Sequence, residues 1–339
     1  MTYLMVLGGL VLLFIGGEAL VRGSVSVARK LNISELVIGL TLVGFGTSVP
    51  ELVTSLRAID QDAVGIAVGN VVGSNIANIL LVLGVAAMIR PILTNPRALA
   101  RDGLIMLAVT ALLCALIWFD LFSRPVGLGL LGVLLAYLAY SFIADQRRDN
   151  DVAAMHAAEG ETIEAHYGLV LGLVITAAGL VGVVFGARLL VDGGVVIARE
   201  FGISETIIGL TIVAVGTSLP ELVTSAVAAF RGRSDVALGN IIGSNIFNIL
   251  GILGITAVVH PFSVRGDISA EAMSQDRHAS LISSADIGAL ILSVFLLMLF
   301  AMTGRRIARW EGIVLLLAYA LYMGLLFDLV PVPGILPHA

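Results

Sequence analysis

Glu51 follows Pro50 in the stretch GTSVPELVTS, residues 46–55, and Glu221 follows Pro220 in GTSLPELVTS, residues 216–225. A proline inside a helix removes one backbone donor and crowds the preceding turn. This frees carbonyls near Gly46 and Thr47, and near Gly216 and Thr217. Thr47 and Ser48 precede Glu51 by four and three residues, which sets them on one side of even a kinked helix. Further on, Ser74 and Asn78 lie four apart, and Ser244 and Asn248 repeat that spacing. Carboxylate, hydroxyl and carbonyl oxygens gathered at one depth suit a hard cation, since Ca2+ takes about 6–8 oxygens at ~2.3–2.6 Å. Neither motif contains His or Cys, which argues against zinc or copper.

Plainer roles compete at each of these positions. Ser, Thr and Asn in membrane helices often serve only as interhelical hydrogen-bond partners. That reading suits Asn75 and Asn245, while Asn78 and Asn248 are set with the cation ligands. The five histidines fall in loops or at segment ends and are not assigned as ligands. Glu18 and Arg22 are four apart, and an offset of 170 places them on Arg188 and Asp192. Each pair could be a local i,i+4 ion pair that lowers the cost of insertion. The alternative is that they steer the motion of the first and sixth helices.

The elements that must position these oxygens are long and apolar. Of 339 residues 58% are hydrophobic and 13% charged, against roughly 25% charged in soluble domains. Mean hydropathy is +1.05. Runs such as LIMLAVTALLCALIWF approach the ~20 residues that cross a bilayer, and the alternation of a β-barrel is missing. These features predict an all-α, multi-pass protein of the cell (inner) membrane. The first apolar segment lacks a preceding basic residue and a cleavage-site pattern, so it is read as a retained helix. Cys114 is the single cysteine, which excludes an intrachain disulfide. The net charge of −5 gives no indication of nucleic-acid binding, and no protein partner or cofactor is implied. At the midplane a charged residue costs about 2.5–3.5 kcal/mol to insert, so two repeated glutamates point to function rather than packing.

Ten spans are expected, near residues 3–28, 33–59, 63–89, 102–120 and 125–143, then 168–197, 203–230, 236–260, 284–303 and 309–328. They form two five-helix repeats, 1–143 and 167–339, joined by a polar cytoplasmic linker, 144–166. At an offset of 170, thirty of the fifty-four positions from 31 to 84 are identical. An odd number of spans per repeat inverts the second. With the N-terminus outside, the cytoplasmic loops hold Arg29, Lys30, Arg90, Arg97, Arg101, Arg147, Arg148, Arg231, Arg233, Arg305, Arg306 and Arg309. Only Arg57, Arg124, Arg199, Arg265 and Arg277 remain outside. The positive-inside rule therefore selects N-out and C-out. Inverted repeats with broken helices at matching places predict a secondary transporter.

GTSVPELVTS with GNVVGSNIANIL, and GTSLPELVTS with GNIIGSNIFNIL, resemble the two α-repeats of the sodium/calcium exchanger branch of the calcium/cation antiporter superfamily. The likeness extends over nearly the whole chain. It implies Na+/Ca2+ antiport within a lipid bilayer, with Ca2+ and Na+ as transported ions. It further implies a central calcium site from Glu51, Glu221 and the backbone oxygens of Thr47 and Thr217. One sodium site would take Ser48, Glu51, Ser244 and the carbonyl of Gly44. The other would take Ser74, Ser218, Glu221 and the carbonyl of Ala214, with Asn78 and Asn248 facing the middle. Several members carry aspartate at one of the two central asparagine positions. Asparagine at both here leaves two formal negative charges and leads to the expectation of K+ independence. The alternatives are a Ca2+/H+ antiporter of the same superfamily, whose motif is typically of the GNxxE type, and a calcium channel, whose pore could also use acidic rings.

Overall fold

The computed structural model describes residues 2–61, 63–146, 167–201, 214–264 and 284–326. The expected linker at 144–166 lies outside them from residue 147 onward. So does most of the first half of the expected span 203–230, up to residue 213.

Among the described residues the regular secondary structure is helical apart from one two-residue β ladder. In the first half the helices are α1 (Thr2–Leu31), α2 (Glu35–Thr47), α3 (Val49–Asp60), α4 (Val64–Ile89), α5 (Pro96–Phe119) and α6 (Arg124–Gln146). In the second they are α7 (Leu169–Glu200), α8 (Ala214–Thr217), α9 (Leu219–Phe230), α10 (Ser234–Val259), α11 (Ser284–Met302) and α12 (Arg309–Leu326). Among the described residues eight helices are long and apolar enough to cross a membrane, and the bent pair α2 with α3 forms a ninth candidate. Outward faces carry apolar side chains: Leu7, Phe14 and Ile15 on α1, Val170, Val174 and Val181 on α7, and Trp118 on α5. Such an apolar exterior suits a lipid surrounding.

The equivalences across the 170 offset extend from sequence to backbone. Helix α3 maps onto α9 and α4 onto α10 residue for residue, and each of the long pair contains a π-helical turn, Asn78–Val82 and Asn248–Ile252. Helices α4 and α10 lie at the centre, where Val71, Ile76, Ile79, Ile241, Ile246 and Ile249 are buried in one apolar cluster. The last part of α4 packs on α12, and the last part of α10 packs on α6, so each half closes over the other. Two clasps join the halves as well. In the first, β1 (Ile92–Leu93) pairs antiparallel with β2 (Arg306–Ile307). In the second, Phe262 N–H donates to Phe122 O at 3.1 Å and their rings stack, while the Asp120 carboxylate accepts from Val264 N and Ser263 Oγ.

Helices α1 and α7 pack along one another with their backbones in contact. A Cβ on Gly16 would stand 2.7 Å from Val183 N, and one on Gly186 2.8 Å from Leu13 N. Small residues permit such close approach in membranes, where dispersion rather than water expulsion holds helices together. The expected Glu18–Arg22 pair forms on α1, but Glu18 also accepts a two-pronged bond from Arg231, with Nε at 2.8 Å and Nη2 at 2.7 Å. The mate pair departs from expectation. Arg188 and Asp192 are both exposed, and among the described residues no ion pair joins them.

Candidate functional site

Each glutamate stands just beyond a break in its helix. The backbone leaves helical geometry at Ser48 (φ −83°, ψ 7°) and at Ser218 (φ −89°, ψ 6°). The axes of α2 and α3 differ by 42°. The helices are broken at matching places, as expected, with each break two residues ahead of its proline. Pro50 and Pro220 occupy the first turn of α3 and α9, where the missing N–H would have no partner and the fixed φ suits the helix. Glu51 and Glu221 therefore sit in the first turns of new helices, whose free N–H groups favour negative charge.

Both carboxylates are buried, at 1% and 0% exposure. They are near enough for the charge of Glu221 to act on Glu51. Neither oxygen of Glu51 has a hydrogen-bond partner, and neither does Oε2 of Glu221. Ser218 Oγ, Asn248 Oδ1 and both side-chain polar atoms of Asn78 are likewise buried without one. Buried polar groups in proteins are almost always paired. Unpaired oxygens on two buried carboxylates, with further unpaired side-chain oxygens at Ser218 and on the π turns packed against the two glutamate helices, are a set that can accept a positive charge.

The remaining expected ligands close around the same place. Ser48 Oγ donates to Glu221 Oε1 at 3.0 Å, which ties this serine to the glutamate of the other half rather than to its neighbour in sequence. Ser244 Oγ donates to the carbonyl of Gly44 at 3.0 Å. A side chain on Gly44 would crowd Ser244 N at 3.0 Å, so glycine permits this contact between α2 and α10. Asn248 Nδ2 donates to Ser74 Oγ at 3.1 Å and to Asn75 Oδ1 at 3.0 Å. Asn75 in turn donates to the Asn245 carbonyl at 3.3 Å, an interhelical contact of the expected kind. Thr47 is fully buried at the end of α2. Thr217 ends the short helix α8, which begins at Ala214 and packs against α4. Among the described residues no three or more His, Cys, Asp or Glu side chains converge. The site is thus two carboxylates amid neutral oxygens, a set suited to hard cations.

Sequence reasoning passed over Asn70 and Asn240. Asn70 Nδ2 donates to the Glu51 carbonyl at 3.1 Å and to Ser55 Oγ at 3.0 Å. Asn240 Nδ2 donates to the Glu221 carbonyl at 3.3 Å and to Ser225 Oγ at 2.9 Å. Their signal was present in the repeated Gly-Asn that opens GNVVGSN and GNIIGSN. The π turns at Asn78 and Asn248 had no such signal. Single π turns of this type recur at functional sites.

The profile of the sodium/calcium exchanger protein family matches residues 1–143 and 171–327. Sodium/calcium exchanger MaX1 of Methanosarcina acetivorans is 36% identical over 361 residues, covering 96% of this chain and 98% of the relative. Inner membrane protein YrbG of Escherichia coli (strain K12) is 32% identical, with 96% of each chain covered. A solved structure of the sodium-calcium exchanger NCX_Mj, soaked with zero Na+ and Ca2+, superposes with a TM-score of 0.78. It is 35% identical and covers 96% of this chain and 98% of its own.

Proposed function

This chain belongs to the sodium/calcium exchanger protein family, and from that membership we propose that it exchanges Na+ for Ca2+ by alternating access without K+. It is a multi-pass membrane protein of a transporter family and a cation/Ca2+ antiporter. The observation that supports a cation site here is the pair of unpartnered carboxylate oxygens on buried Glu51, set beside the charge of Glu221. Uncompensated charge at this depth is costly, and a bound cation supplies the missing partner.

In this reading Ca2+ binds centrally to Glu51 and Glu221 and to the backbone oxygens of Thr47 and Thr217. Na+ takes two flanking positions, one from Ser48, Glu51, Ser244 and the Gly44 carbonyl, the other from Ser74, Ser218, Glu221 and the Ala214 carbonyl. The bond from Ser48 to Glu221 supports overlap between the central and flanking positions. Overlap makes the two ions compete, and competition couples their movements. Asn78 and Asn248 face the middle and add no charge. One Ca2+ balances the two glutamates, so an added K+ would leave a net positive charge in low dielectric. The ten spans would form two inverted repeats, 1–143 and 167–339, with 144–166 in the cytoplasm and both termini outside. Matching helix breaks at Ser48 and Ser218 support that arrangement.

The test is calcium binding by Glu51→Gln and Glu221→Gln, measured calorimetrically on purified protein. Each variant should insert normally and lose detectable Ca2+ binding, because an amide cannot replace the carboxylate charge. Near wild-type affinity in either would refute the central site.

A further inference from the structure

We infer that Asn240 is a positioning residue that sets the separation between the two backbones bearing opposed calcium ligands. Asn240, on α10, is fully buried. A carbonyl oxygen can only accept, so the bond to Glu221 O requires the amide nitrogen on that side. Oδ1 then faces the other way, where Thr47 Oγ1 lies at 3.1 Å and donates its proton. That proton is also within reach of the carbonyls of Val43 and Gly44, at 3.1 and 3.2 Å, so the hydroxyl is shared between its own helix and Asn240. One amide thereby joins the last residue of α2, at the break before Glu51, to the first turn of α9, which carries Glu221.

Positioning follows from what the two ends carry. In the function proposed above, on which this inference rests, the Thr47 carbonyl and the Glu221 carboxylate bind the same Ca2+. Calcium–oxygen distances lie within about 2.3–2.6 Å, so a small drift between these backbones loses a ligand. Asn240 itself contributes nothing to the ion. It acts through Thr47 and Glu221, as outer partners of metal ligands do. Asn70 makes the corresponding two bonds to the Glu51 carbonyl and Ser55 in the other half. The hold on the glutamate carbonyl is therefore present in both halves, and the bridge to a threonine is seen at Asn240.

A filler role predicts loss of stability alone, whereas a positioning role predicts coupled loss of affinity. The experiment is a double-mutant cycle on the full-length protein, with Asn240→Ala, Thr47→Val and the pair, reading Ca2+ affinity by calorimetry. Thr47→Val keeps the main-chain carbonyl and removes only the hydroxyl. Each single change should weaken Ca2+ binding about tenfold, and the double variant should be no weaker than the weaker single one. If Asn240→Ala does not fold, Asn240→Ser takes its place with the same expectation. Additive losses, or a wild-type Kd in a folded but less heat-stable variant, overturn the inference. Because the readout is binding and needs no sodium gradient, it stands apart from the question of coupling. A wild-type protein that binds no Ca2+ would refute the cation-site reading itself, and this inference with it.

Discussion

Glu51 has two buried carboxylate oxygens and no protein donor for either, whereas Glu221 accepts a hydrogen bond from Ser48. The two residues occupy matching places in sequence yet have unequal surroundings, so they should not respond alike to ions. In the proposed site protons would compete with cations at both. Protonating either carboxylate removes charge that a divalent ion needs, so calcium affinity should fall as pH is lowered from neutral toward ~4.3, the ordinary glutamic acid value. Calcium titrations across that range check this, and a flat profile would contradict it. The identity of these residues was legible in the sequence because midplane carboxylates are rare and these are repeated. Their partners were not. Ser48 reaches Glu221, 173 positions away, and only tertiary packing brings them together. Asn240 was overlooked because an asparagine between apolar residues reads equally well as interhelical glue.

Helix spans were legible to within a few residues, since apolar runs bounded by polar segments define them. The span expected at 63–89 is α4 at Val64–Ile89, and that expected at 284–303 is α11 at Ser284–Met302. Finer breaks were displaced. Proline marked the vicinity of each break, but the chain departs from helix two residues earlier, at Ser48 and Ser218, because Pro50 and Pro220 fit a first turn better than an interior. The π turns depend on packing at the centre and leave no periodic trace. Glu18 belongs to this scale too. Its bond to Arg231 ties α1 to the end of α9, the helix of Glu221, and goes beyond the local pairing with Arg22. Glu18→Gln removes the tie without touching the site. Turnover at saturating ions should change roughly fivefold, the equivalent of about 1 kcal/mol, while Ca2+ affinity stays at the wild-type value. Stopped-flow exchange together with calorimetry separates the two, and unchanged turnover would return the pair to a local role.

At the scale of the molecule, the halves are interleaved rather than side by side. Helix α4 packs on α12, α10 packs on α6, and the clasps at Ile92 with Ile307 and at Phe122 with Phe262 bind one half to the other. Interleaving places oxygens from both repeats around one centre, which is what joint use of a site by two ions requires. Coupling is the property on which the proposed function depends, and a channel with the same oxygens would lack it. Flux into reconstituted vesicles at a clamped membrane potential measures it most directly. Calcium uptake should require an opposing Na+ gradient, proceed equally with and without K+, and stop when Na+ is withdrawn even if a pH gradient is supplied. Uptake that continues with no counter-ion, or that runs on protons alone, would contradict sodium–calcium exchange by this protein.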